Sequence, residues 1–278
     1  MRRILLPTDF SDNSLDAIQY ALLIFKNLKC SFYLLHTYMP PIYNSEYLIG
    51  SPGQIGLGDV IQETSKTQLE DLKSRLENQY DNPKHSFIVH TAFNTLLNEV
   101  IETLVSENID LVVMGTQGAT GAQEILFGTN TSHVIKKAKC PVLAVPPKFK
   151  YEALKDILFP TDYEIGYGKE KFKLLITLAR QHRSRIHVMH VSTGNELSIV
   201  QKNHKEDLQK LLGDNTLLHD TPNDSIITAI NAFLAKEQID LLVMVQNKHT
   251  FFERLFIEPI IKKISFHIRV PFLVIPQL

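Results

Sequence analysis

Two halves of this 278-residue chain repeat one another, and that duplication constrains the fold more than any other feature. ILLPTDF at 4–10 returns as ILFPTDY at 157–163, and NIDLVVM at 108–114 returns as QIDLLVM at 238–244. Each half closes on a matching stretch, PVLAVP from Pro141 and PFLVIP from Pro271. Residues 85–146 align on 215–276 without a gap, which a few shared apolar runs do not produce. One half is therefore the folding unit, used twice. The polar, proline-containing PPKFKYEALKD at 146–156 is the expected seam, because few contacts need cross such a segment. This predicts two domains, 1–147 and 153–278.

Inside the first half, short runs rich in Ile, Leu, Val and Phe alternate with segments of helical period. Apolar runs without polar alternation read as buried parallel strands, here near 2–7, 31–37, 86–90, 110–115 and 141–146, with a helix after each of the first four. Leu15, Ile18, Leu22, Phe25 and Leu28 form one stripe, capped by Ser11 or Asp12; Leu97, Val100, Ile101, Leu104 and Val105 form another. A charged helix over 59–79 carries Leu69, Leu72 and Leu76 on one side and reads as an outer, solvated helix. The pattern predicts two doubly wound α/β domains, in which ligands bind beyond the carboxyl ends of the strands.

MGTQGATGAQEILFGTNTSHVI, 114–135, falls at that place. Gly115 and Gly118 would let backbone approach an anion and adopt φ > 0, so that successive amides converge on it. Gly128 and Thr129 would open a helix whose first amides favour a phosphate, with Thr129, Thr131 or Ser132 hydroxyls adding donors. The bland alternatives stay open: Asp9 as a turn or helix cap, the glycines, Gly121 among them, as tight turns, and Thr129 as an N-cap. Neither a G-x-G-x-x-G after the first strand nor a G-x-x-x-x-G-K-[ST] is present.

Charge excludes other classes. Thirty acidic against twenty-nine basic residues and a pI near 6.8 argue against nucleic-acid or anionic-membrane partners. No run approaches the ~20 apolar residues of a membrane span, and MRRILLPTDF breaks at Pro7 and Asp9 before a leader core forms, so a cytoplasmic location is expected. Cys30 and Cys140 stand far apart, as buried hydrophobes in a reducing compartment. His187 and His190, three apart on a strand, should face opposite sides and hold no metal. No Ser, His and acid cluster converges and the glycine stretch lacks a lysine, so no catalytic residue is expected and any ATP hydrolysis would be slow.

G-x-x-G, nine residues, then Gly-Thr, together with PTDFS after the first strand and LLHT ending the second, resembles the universal stress protein family, as a tandem member. The resemblance implies Rossmann-like domains, each with a five-stranded parallel sheet of order 3-2-1-4-5. In the family's ATP-binding branch, Gly115, Gly118, Gly128 and Thr129 would hold phosphate, with Thr116 and Asn130 offering neighbouring amides. Asp9 would accept from a ribose hydroxyl, and Pro7, Thr8, Thr37 and Met114 would line the adenine pocket. ATP, with or without Mg2+, is the implied ligand of a nucleotide-responsive stress or signalling module read by a protein partner. TAFNT at 91–95 departs from the family's usual turn, at the rim near the base.

The second half has lost that pattern. Val245, Lys248, Glu258 and Pro259 align with Gly115, Gly118, Gly128 and Thr129, although Asp162 still matches Asp9. A β-branched residue, a carboxylate and a missing amide should exclude ATP there. This half is expected to be degenerate and to pair with the first through the terminal strands as an intrachain pseudo-dimer, with further homodimerisation open. The halves also differ at 39–59, where Tyr43, Tyr47 and Leu48 read equally as a lid or as an insertion. Two other functions compete: an interaction scaffold that binds no nucleotide, and an adenylate-handling enzyme such as an ATP pyrophosphatase, against which the missing S-G-G-x-D loop argues.

Overall fold

A computed structural model describes residues 1–38, 57–116, 128–192, 196–222, 226–246 and 269–276. Gly118, Gly121, Lys248, Glu258, Pro259, Tyr43, Tyr47 and Leu48 lie outside these. The first half runs β1 (Arg2–Pro7), α1 (Asp12–Ile24), β2 (Cys30–Tyr38), α2 (Leu57–Tyr80), β3 (His85–Phe93), α3 (Leu96–Ser106), β4 (Leu111–Gly115), α4 (Thr129–Lys137) and β5 (Val142–Val145). The second runs β6 (Asp156–Pro160), α5 (Lys173–His182), β7 (Arg185–Ser192), α6 (Ile199–Leu212), β8 (Thr216–Pro222), α7 (Ile226–Lys236), β9 (Leu241–Val245) and β10 (Phe272–Ile275).

All ten strands join one sheet of order β3-β2-β1-β4-β5-β10-β9-β6-β7-β8. Each half thus has the order 3-2-1-4-5 that the resemblance implied. Pairing within each half is parallel, and the two halves meet antiparallel at β5 and β10, with Leu143 opposite its own repeat equivalent, Leu273. A pseudo-twofold axis passes there, as in an isologous dimer interface. Strand alternation feeds two core layers. Ile4 and Leu6 face a layer shared with α1, α2, α5 and α6, whereas Leu5 faces one shared with α3, α4 and α7. Among the described residues, no helix is long and apolar enough to cross a membrane.

Several expectations need correction. The seam at 146–156 is packed rather than bare: Phe149 and Tyr151 set their ring edges against buried Tyr20, and Leu154 is 1% exposed. The His182 ring nitrogens reach the Ile24 carbonyl (2.8 Å) and the Tyr151 hydroxyl (3.3 Å), so α1 and α5 add side-chain contacts to the β5–β10 junction between the halves. β3 is not a buried strand: it is the outer edge of the sheet, with Ile88 and Phe93 exposed. α1 ends at Ile24, so Phe25 is its C-cap and Leu28 lies beyond it. In α3 Val100 is fully buried beside Glu99 and Thr103, and Leu97 and Leu104 pack against the same core as expected, whereas Val105 does not. At about 100° per residue Val105 then lies opposite Leu96 and faces solvent, 76% exposed. The outer helix behaves as expected, with Leu69, Leu72 and Leu76 buried along one side.

Candidate functional site

The turn after β1 is built by its own side chains. The Thr8 amide donates to the Leu35 carbonyl (2.8 Å), and the Thr8 hydroxyl accepts from the Phe10 amide (2.9 Å). Asp9 Oδ1 accepts from both the Ser11 amide (3.1 Å) and the Ser11 hydroxyl (2.5 Å). Ser11 is also the N-cap of α1. Burial raises the Asp9 pKa, but these hydrogen bonds, with a contribution from Ser14, outweigh it and hold the carboxyl below its ordinary value. Phe10 has φ 62° and lays its ring 4.8 Å from that of His36.

The second half repeats this turn. The Thr161 hydroxyl accepts from the Tyr163 amide (3.1 Å), Asp162 Oδ1 accepts from the Glu164 amide (3.1 Å), and Tyr163, φ 57°, stacks 5.3 Å from His190. Because the turn survives where the glycine pattern does not, Asp9 organises the turn whatever else it does. His187 and His190 do face opposite sides: His187 stacks on His219 beside Phe233 of α7, and His190 on Tyr163.

At the end of β4, Gly115 sits in the sheet opposite Val145, and its φ is not positive. The expectation of φ > 0 fails there, because the strand ladder holds it extended. Its need for glycine is a close approach instead: a Cβ would come within 2.5 Å of Asn13 Oδ1 and 3.0 Å of the Asn13 carbonyl. Asn13, buried, donates from Nδ2 to the Val145 carbonyl (3.1 Å). The Thr116 amide also donates to Val145 (3.0 Å) and the Thr116 carbonyl accepts from the Gly128 amide (2.6 Å), so Thr116 closes the loop and has no amide left for a ligand. The Thr131 hydroxyl is likewise committed, donating to the Gly115 carbonyl (2.8 Å).

Gly128, not Thr129, is the N-cap of α4, with φ −56°, ψ 159° and no side-chain cap. Among the described residues, the first-turn amides of Thr129, Asn130 and Thr131 have no partner. Uncapped amides at the positive end of a helix are an anion site in waiting.

These pieces face one cleft of about 370 Å³ lined by Pro7, Thr8, Asp9, Thr37, Met114, Gly115, Gly128, Thr129 and Asn130, together with Ser14, His36, Leu96 and Thr131. Nine of the eleven residues expected from the sequence are thus brought together; Thr116 is buried behind the wall and Gly118 is not described. The chain belongs to the universal stress protein family. That family's model matches residues 1–146, more than half of the chain. One universal stress protein of Methanocaldococcus jannaschii is 31% identical over 146 residues, 52% of this chain and 81% of that protein. A second from the same organism is 30% identical over 160 residues, 53% of this chain and 96% of that one. The crystal structure of a universal stress protein from Archaeoglobus fulgidus covers 99% of this chain and 96% of its own, at TM-score 0.67 and 18% identity. The family fold therefore extends through both halves.

Sequence reasoning missed Ser14, His36 and Leu96 in the cleft. His36 was inside the LLHT motif that marked the family. Its Nδ1 lies 2.7 Å from the Ser65 hydroxyl, which in turn contacts Thr91. Burial lowers the His36 pKa, and the Asp9 charge partly opposes that shift. Leu96 opens α3 behind the Thr95 cap. Next to it Asn94 and His90 both hold the Glu99 carboxylate, at 3.0 and 2.6 Å, which is how this chain builds the rim where TAFNT departs from the family turn.

Proposed function

We propose that the first half, as a domain over 1–147, binds ATP in the cleft between β1, β4 and α4, and that nucleotide occupancy is what a protein partner reads. The observation that carries this reading is the convergence on one cleft of the uncapped amides at Thr129–Thr131 and the side chains after β1. Amides and a helix end supply the phosphate donors, and no lysine or arginine is among the described lining residues. Binding with slow turnover follows, since no described lining side chain delivers a compact positive charge to a transferring phosphoryl group. Mg2+ would arrive with the phosphates. The second half, 153–278, serves as a degenerate partner joined through β5 and β10.

Thermal denaturation in ATP, GTP and tripolyphosphate tests the reading. At 100 times Kd a ligand adds about 2.7 kcal/mol to stability. ATP should raise Tm clearly, tripolyphosphate less, and GTP least. No shift with any of the three, with and without magnesium, would overturn nucleotide binding and leave the scaffold role.

A further inference from the structure

A chain of titratable side chains on the α7 face of the second half stands apart from the cleft. It starts at Asp156, buried at the head of β6, whose Oδ1 and Oδ2 accept from Arg185 Nε (2.7 Å) and Nη2 (2.8 Å). His187 Nε2 lies 2.8 Å from the same Oδ1, and His187 Nδ1 lies 3.0 Å from Nε2 of His219 on the edge strand β8. The two imidazoles are stacked, 5.2 Å apart and 12° from parallel, and Phe233 of α7 packs edge-on against both, at 5.6 and 4.9 Å. The first half puts other chemistry there: Tyr33 stands at the register position of His187 and donates to Glu107 (3.0 Å).

Counting donors fixes where the protons sit. Burial raises the Asp156 pKa, but the bonds from Arg185 and His187 outweigh it, so the group stays a carboxylate where histidines titrate. A carboxylate only accepts, so His187 carries its proton on Nε2 and leaves Nδ1 as an acceptor; His219 must then donate from Nε2. One further proton fits on His219 Nδ1 and disturbs neither bond. A second does not, because two N–H bonds would then point at each other across 3.0 Å between like charges. The other charges nearby do not relieve this. Lys236 and Glu237, at the end of α7, act on His219 in opposite directions, and Asp240 is held by the Lys155 and Asp156 amides (2.7 and 2.9 Å). Burial and His187 together push the His219 pKa down. We propose that His187 and His219 form a one-proton latch joining β7, β8 and α7, which a second proton opens, so that mild acid releases the β8 edge and α7. The latch does not rest on nucleotide binding in the first half.

The closed latch holds one added proton and the open one two, so opening should be favoured about tenfold for each pH unit below about 6. Hydrogen exchange of the full chain, followed by mass and corrected for the intrinsic pH dependence, reads this as a tenfold loss of protection in β8 and α7 between pH 6 and 5. His219→Gln keeps a donor toward His187 Nδ1 that takes up no proton, and its amide can turn to accept if His187 becomes charged. In that variant protection of β8 and α7 should stay flat over the same range, with β1–β5 behaving as in the wild type. Nitrogen-15 spectra of the wild-type imidazoles at pH 7.5 should find both rings protonated on Nε2. A wild type with no acid loss in β8 and α7, the same loss in His219→Gln, or a variant that alters β1–β5 equally would each overturn the latch. His187 protonated on Nδ1 instead of Nε2 at pH 7.5 would overturn the proton assignment on which it stands.

Discussion

Thr129→Pro isolates one backbone amide of the candidate phosphate site. Thr129 is the first residue of α4, where proline is tolerated because its missing N–H has no helical partner. Gly128, at φ −56° and ψ 159°, already has the extended conformation that a following proline requires. The fold should therefore lose less than about 0.5 kcal/mol, as for an ordinary surface change. The ligand should lose one charge-assisted hydrogen bond, worth ~1.5–3 kcal/mol, which is roughly 10- to 150-fold in Kd. Thr129→Ala, which keeps the amide and removes the hydroxyl, is the comparison. Both variants would be titrated with ATP by calorimetry and unfolded in urea. If Thr129→Pro binds ATP as Thr129→Ala does, the amide does not hold phosphate and the site assignment fails. The aligned residue of the second half is already a proline, Pro259.

Gly115→Ala should destabilise the fold through Asn13 rather than through a ligand. The new Cβ would displace a buried amide and break its bond to Val145, combining overpacking of ~1–3 kcal/mol with a lost buried hydrogen bond of ~1–3 kcal/mol. In an Asn13→Ala background the same change should cost less, since the Oδ1 and Cγ contacts are gone and only the 3.0 Å approach to the backbone carbonyl of residue 13 remains; equal costs in both backgrounds, read from urea midpoints, would refute the packing argument. Stability should also fall as pH drops below about 6.5. His36, His85 and His219 are each held below their ordinary 6.5 by burial, so the native state binds fewer protons than the unfolded chain and the loss begins at the unfolded pKa. Asp9 and Asp156 are shifted down from 3.8, so their contribution persists to lower pH and does not confuse the window. Urea midpoints at pH 7.5 and 5.5 should differ in the wild type and differ less in His36→Gln; a flat profile would remove the histidines from the account.

Much of this architecture was legible because duplicated parallel strands are continuous apolar runs, and their repetition confirmed each run. The strand order came from family resemblance, since hydrophobic pattern alone does not say which strand neighbours which. What escaped were pairings between residues far apart in sequence. Asn13 binds the Val145 carbonyl across 132 positions, and it is Asn13 that makes Gly115 necessary. The glycine was visible but its reason was not. Val105 was misplaced because an apolar stripe does not reveal where its arc stops facing the sheet and turns to solvent. The committed hydrogen bonds of Thr116 and Thr131 were hidden for a similar reason: a hydroxyl or amide in a motif looks available until its neighbours are known. Asp9 shows the converse. Its turn-building role stayed one of two readings in the sequence, and the matching turn around Asp162 in a half without the glycine pattern supports it.

The central claim, one nucleotide site in a two-half chain, is tested most directly by stoichiometry. The chain would be purified without nucleotide, denatured to identify any released small molecule by mass, refolded or stripped, and titrated with ATP by calorimetry. The account predicts close to one ATP per chain. Two would contradict the degeneracy of the second half, and none would contradict the site itself.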